Sequence, residues 1–322
     1  MNLVESIKKF KNIGNITLKN YMRILSRFSK EIGIKDEEIL LNSNLKILQI
    51  IKKYKITSQA TLLSAMITAM SSFQEYNEPD YTKSIETYRK YMQTLLPTIQ
   101  DQKYSQIKNE TQEINWCTWE DLQKCIGINR KKITKLLKRD NLDFKDLKLI
   151  QLWLISSIYC SSDLNPPRRL DYKNIIIINK KDYELEHLEN QNYLIVESAQ
   201  KKYFLFQNFK TVKTFGKVSI PVSKILNKHI NEYLKMLVLN NINAKYLFFN
   251  NKDQAIEAGL SILIGEAFEP TGKNITVNLI RHIYLSKNAD DWTLAQRRET
   301  SRLMSHSIET QLTYSKIDSD SD

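Results

Sequence analysis

The chain has few of the residues that staple, punctuate or metallate a fold. Of 322 residues only three are Cys, Cys117, Cys125 and Cys160, an odd set without a C-x-x-C spacing. That excludes a disulfide framework and a cysteine zinc site, and it predicts buried or free thiols in a reducing compartment. There are four His. His187 and His229 have no partners at metal-ligand spacing, and both are expected as surface or strand residues, with no metal site. Seven Gly and six Pro, against abundant Ile, Asn and Lys, point to an AT-rich coding source. The sequence contains no P-loop, no G-x-S-x-G and no acidic cluster for a metal pair, which removes three common hydrolytic chemistries. No cofactor is expected. No apolar run is long enough to span a membrane and the N-terminus carries no apolar signal segment. The expectation is an intracellular protein with no membrane partner.

Acidic residues are also in deficit, 36 Asp and Glu against 48 Lys and Arg, giving a formal net charge of +12 and a pI near 9.3. Such an excess predicts a polyanionic partner, nucleic acid first. The plain alternative is a solvated lysine-rich surface. Hydrophobic residues at 42% and charged residues at 26% describe a folded chain, long enough for two domains with separate cores.

Residues 1–100 carry helical periodicity and little else. Thr17 is placed to cap a helix whose apolar face is Leu18, Tyr21, Met22, Leu25 and Phe28, with Lys19, Arg23, Arg27 and Lys30 largely on other faces. Further helices are predicted over 45–54, from Thr57-Ser58 through Met70, and over 84–96, the last stopped by Pro97. Residues 98–114 turn polar and lose the apolar period. The expected organisation is a helical domain over 1–100, a linker over 101–114, and a second domain over 115–322 with a disordered acidic tail, 318–322. In the second domain Thr118 and Asp121 mark a helix start. Trp116 and Trp119 are read as core anchors ahead of base-stacking residues, and 147–160 as a helix buried all round. Short strands follow at 174–179, 193–197, 203–208 and 218–222, with a basic turn over 210–216 between the last two. Helices are predicted at 223–239, about 254–266, and through the last fifty or so residues. The fold class is therefore mainly α with a small antiparallel β-sheet, α+β.

Three short stretches carry chemistry. Pro166-Pro167-Arg168-Arg169-Leu170-Asp171 sets two cations beside a carboxylate after a rigid turn. Arg281-His282 lies in LIRHIYLSK, and His306 is followed eight residues on by Tyr314 in SHSIETQLTY. Arg, then Arg-His, then His and Tyr, with a basic hairpin between the first two, resemble the active-site boxes of the tyrosine recombinase (phage-integrase) family. The closest likeness is to integrases of virophages and large DNA viruses. The helical first domain likewise resembles that family's core-binding, DNA-clamping domain, and the second its catalytic domain.

The resemblance implies cleavage and rejoining of double-stranded DNA without metal or ATP. Tyr314 is the nucleophile, forming a 3′-phosphotyrosine, while Arg168 and Arg281 clamp the phosphate and His306 donates to it. Arg168 is chosen over Arg169 because the family's first Arg stands three residues before an acidic residue, here Asp171. Arg169, Lys213, Lys19, Arg23 and Arg27 are assigned to DNA binding. Lys210 is taken as the general acid ahead of Lys213, because it comes immediately after the strand-like run 204–209, as the family's catalytic Lys does. Asn278 stands where the family has a His, and Asn can donate to a phosphate but cannot transfer a proton. Ser305 replaces a usual Gly, and His306 to Tyr314 is one residue shorter than common. Only eight residues follow Tyr314, so contacts within the implied tetramer on paired DNA sites are expected elsewhere. Accessory DNA-bending proteins are further candidate partners. A viral protein of this kind would work in the host compartment holding the DNA, nucleus or cytoplasmic virus factory, and could be carried in the virion. The alternatives are a type IB topoisomerase and a DNA-binding relative that has lost cleavage.

Overall fold

The computed structural model describes the chain except residues 11–12, 36, 78, 186–188, 253, 257–258 and 318–322. His187 and the acidic tail therefore lie outside the described residues. The chain divides into two compact units, Met1–Ser105 and Gln106–Asp322.

The first unit is helical: α1 (Leu3–Phe10), α2 (Asn15–Ile32), α3 (Glu37–Asn42), α4 (Asn44–Ile51), α5 (Ile56–Tyr76) and α6 (Thr82–Tyr104). Helix α5 is the hub. Leu62, Leu63, Ala65, Met66, Ala69 and Met70 are buried around it, and α1, α2, α3, α4 and α6 all pack on it. Its methionines fill core space, as their spacing predicts. Three details differ from the sequence reading. Helices α1 and α3 are too short for periodicity to announce. Helix α2 begins at Asn15 with Gly14 as its N-cap, which leaves Thr17 inside the first turn. Helix α6 runs through Pro97 instead of stopping there. Pro97 removes one N–H and leaves the Gln93 carbonyl without its helical partner. Both residues are exposed, so water can satisfy that carbonyl.

The second unit opens with α7 (Glu110–Asn115), α8 (Trp119–Ile133) and α9 (Phe144–Cys160). The first two begin with reciprocal capping boxes, Asn109 with Gln112 and Thr118 with Asp121. The stretch expected as a linker thus holds the end of α6 and all of α7 but its last residue, Asn115. Helix α9 is buried on every side from Ile150 to Cys160 and forms the axis of the core, packing on α8, α12 (Lys224–Leu239) and α13 (Leu260–Ala267). Trp119 is buried with its ring 5.1 Å from that of Tyr284, in the anchoring role its pattern predicts.

Four strands, β1 (Ile175–Asn179), β2 (Asn192–Val196), β3 (Lys202–Phe206) and β4 (Val218–Pro221), form one sheet in the order β1-β2-β3-β4. The α+β class stands, but the sheet is mixed. The β2–β3 and β3–β4 pairs are antiparallel, whereas β1 and β2 run parallel. The connection between β1 and β2, which contains α10 (Lys180–Leu185), is long enough for the crossover that parallel strands need. The β3–β4 connection holds the short α11 (Val212–Phe215), and the unit ends with α14 (Val277–Lys287), α15 (Leu294–Met304) and α16 (Ile308–Tyr314). His229 lies on α12, not on a strand, with its ring 5.0 Å from Trp153.

Candidate active site

Helix α9 delivers its chain into the loop carrying Arg168, and that loop is pinned from several sides. Asn165 is buried; its side chain donates to the Pro221 carbonyl at 2.9 Å and accepts from the Ser223 N–H at 3.0 Å. The Tyr159 hydroxyl donates to the Arg169 carbonyl at 2.9 Å. Asn192, at the start of β2, donates to the carbonyls of Asp171 and Asn208 and accepts from the N–H groups of Gln207 and Asn208. One amide therefore ties the arginine loop to the segment after β3.

Arg168 is fully buried. Its Nε donates to Asp171 at 3.0 Å, and its Nη1 donates to the Leu303 carbonyl and to Ser305 Oγ at 3.0 Å. The guanidinium lies over Phe206 and Phe209, 4.2 and 5.0 Å from their ring centres. Arg281, on α14, is equally buried and donates to the Pro167 carbonyl at 3.2 Å and to His306 Nδ1 at 3.1 Å. Its Cζ sits 4.7 Å from the centre of the Tyr314 ring.

The corner between α15 and α16 brings His306 and Tyr314 together. Ser305 adopts a left-handed conformation (φ 53°) that ends α15, and Ser307 caps α16 through the Thr310 N–H. Ser301 Oγ donates to buried Gln311 at 2.6 Å and locks one helix to the other. The His306 and Tyr314 rings end 5.7 Å apart. Thr211 donates to the Ser305 carbonyl at 2.8 Å, which ties the basic β3–β4 connection to the same corner.

The charge balance is one-sided. Burial pulls both guanidinium groups down from their ordinary range, opposed at Arg168 by Asp171 and at Arg281 by the Tyr314 phenol. Arginine remains charged near neutrality regardless. Asp171 is the one carboxylate bonded to either of them among the described residues. His306 is lowered to about 3, first by burial and then by Arg281, Arg169 and Arg168, so it is neutral at pH 7. A guanidinium only donates; His306 Nδ1 therefore accepts from Arg281, and the ring proton resides on Nε2. Three polar atoms in the cluster are buried without a partner: Arg168 Nη2, Arg281 Nε and His306 Nε2. Unpaired buried donors are expensive, and a guanidinium-rich group with spare donors fits a phosphate or similar oxyanion.

The other expected site residues are placed less tightly. Arg169 is half-buried beside the cluster, and its charge reaches both Arg281 and His306. Lys210 and Lys213 are both exposed and flank Thr211. The ground for preferring Lys210 falls away, because β3 ends at Phe206 and Lys210 does not directly follow it. Asn278 is exposed in the first turn of α14, three residues before Arg281, outside the buried cluster. Lys19, Arg23 and Arg27 are exposed at four-residue spacing on α2, and Arg27 donates to the Tyr54 hydroxyl at 3.5 Å. Sequence reasoning missed Asn192, Thr211 and the role of Ser305. His282, present in the sequence only as the neighbour of Arg281, bonds the Tyr314 backbone at 2.7 Å. The available signals were a polar residue at a strand start and a second His beside the arginine.

The fold and the cluster together describe a mostly helical α+β chain with two buried arginines and a neutral histidine beside a tyrosine. No family model and no curated protein matches the sequence. Among solved structures the chain is similar to a crystal structure of XerA recombinase at 13% identity, over 98% of this chain and 94% of that one, with a TM-score of 0.38. A likeness at that score adds nothing to the functional reading, which rests on the site.

Proposed function

We propose that the chain is a tyrosine-type site-specific recombinase, an integrase of viral or mobile DNA, that cleaves and rejoins duplex DNA through a 3′-phosphotyrosine. The observation that carries this reading is the cluster of two fully buried arginines and a neutral histidine, each with an unpartnered N–H, in which Arg281 and His306 lie against the Tyr314 ring and Arg168 is bonded to Ser305 beside His306. In this reaction the Tyr314 phenol gives up its proton to solvent as its oxygen attacks phosphorus, and the 5′-oxygen leaves with a proton from Lys210 or Lys213. The spare N–H groups of Arg168, Arg281 and His306 hold the non-bridging oxygens as charge builds on them. The phosphotyrosine ester retains the energy of the broken bond, so rejoining needs no nucleotide. Arg169 and Asn278 contact neighbouring phosphates, and Lys19, Arg23 and Arg27 neutralise DNA backbone from the helical unit. Recombination further requires protomers paired on two DNA sites, a tetramer, with accessory DNA-bending proteins as added partners.

The test is covalent trapping on nicked duplexes drawn from the DNA flanking the gene. Wild type should leave protein-linked 3′ ends that survive SDS. A protein that binds these duplexes tightly but never forms an adduct would be the cleavage-dead DNA-binding relative. Relaxation of supercoiled DNA by a monomer, without joining of two duplexes, would assign a type IB topoisomerase instead.

A further inference from the structure

Tyr314 is the last residue of α16, so its carbonyl is one of those a helix leaves without an internal partner. His282 on α14 supplies the missing donor: its Nδ1–H reaches that carbonyl at 2.7 Å, and its ring lies 4.7 Å from the phenol ring. His282 is buried, and burial lowers it to about 4, with Lys316 and Arg281 adding to the effect. It is therefore neutral at pH 7 with Nδ1 protonated. One turn further along α14, Ser286 Oγ accepts from the Lys316 N–H at 2.7 Å. The next N–H, of Ile317, donates to the Gln106 carbonyl at 2.9 Å. The chain leaving Tyr314 is thus held at three backbone positions, two of them by side chains of the helix that carries Arg281.

We infer that His282 and Ser286 are positioning residues, which fix the backbone at and just beyond Tyr314 so that its phenol stays in register with Arg281. This inference rests on the nucleophilic role proposed for Tyr314. Four residues apart, the two side chains share one face of α14. Helix α14 then sets both the phosphate-binding cation and the attacking oxygen, and small errors between such groups slow reactions steeply. Simple core packing is the competing account, and it needs only the bulk of the imidazole.

The variants separate the two accounts. His282→Phe keeps an aromatic ring and loses the donor, whereas His282→Asn loses the ring but places an amide N–H where Nδ1 stands. On the full-length protein, hydrogen exchange at the Lys316 amide and single-turnover adduct formation at saturating protein are measured together, with DNA affinity as the control. His282→Phe should speed exchange at Lys316 by about 10-fold and slow adduct formation by about 10- to 100-fold, at unchanged affinity. His282→Asn should recover most of both losses, and Ser286→Ala should repeat the exchange defect. Wild-type exchange or adduct rates in His282→Phe would overturn the inference, as would an Asn variant no better than Phe. Absence of adduct in wild type would remove the nucleophilic role, and with it this inference, even if exchange showed the backbone to be held.

Discussion

At the scale of single residues, the cluster is a set of buried donors with too few acceptors among them. Arg168 and Arg281 are both fully buried, and among the described residues the one carboxylate bonded to either is Asp171, on Arg168. Losing one such preorganised donor costs on the order of 10²–10³ in rate. Arg168→Ala and Arg281→Ala should therefore each slow cleavage by that factor in single turnover. Arg169→Ala, from a half-buried position with no side-chain bond among the described residues, should weaken DNA binding and spare the chemical step. Equal chemical defects at Arg168 and Arg169 would show that the register of the first box is wrong. For the general acid the structure leaves Lys210 and Lys213 on equal footing, either side of Thr211. A 5′-bridging phosphorothiolate carries a leaving group that needs no proton. Cleavage of that substrate should be rescued in whichever Lys→Ala variant has lost the acid, and rescue in neither would remove both lysines from that role.

At the scale of elements, the chain both followed and departed from its sequence pattern. The α8 start was legible because Thr118 and Asp121 form a local capping box that needs no tertiary help. Helix α9 was legible because its residues are apolar all round. Pro97 misled, because proline's local penalty was set against a helix whose other residues pack on α5. If α6 is continuous, Pro97→Ala should stabilise the first unit by roughly 1–3 kcal/mol, the interior proline penalty less the entropy regained by the unfolded chain. Urea titration reads the change; an unaltered or lower midpoint would mean that the helix breaks there. The parallel β1–β2 pair was not legible either, since strand direction depends on where a crossover returns. At the site, the arginine, histidine and tyrosine boxes could be read in order. The β3 boundary could not, because Gln207, Asn208 and Phe209 continue a strand-like run after the ladder has ended. The backbone of Gln207 and Asn208 is taken instead by the Asn192 side chain, from the start of β2.

At the scale of the whole molecule, three histidines in the second unit share one electrostatic state. His229 and His282 are lowered to about 4 and His306 to about 3, in each case by burial first. Arg130 and Lys228 add to this at His229, Lys316 and Arg281 at His282, and the three site arginines at His306. An unfolded histidine titrates near 6.5, so below that pH the unfolded chain binds protons that the folded chain refuses. Stability contributed by these groups is complete above about pH 7 and is lost as pH falls from about 6.5 towards 4. Melting temperature should drop over that window in wild type, and the drop should be shallower in His229→Gln, which removes one such group away from the proposed site. A wild-type melting temperature that is flat from pH 7 to 5 would contradict the buried, neutral assignment.

The central claim is that Tyr314 is the residue that becomes bonded to DNA. Its most direct test is to trap the covalent complex on a nicked duplex, digest the protein and the DNA, and locate the nucleotide-bearing peptide by mass spectrometry. The account predicts the modification on Tyr314, within the peptide that ends at Lys316, and no adduct from Tyr314→Phe at equal DNA affinity. An adduct on Tyr284, or a Tyr314→Phe protein that still forms one, would contradict it.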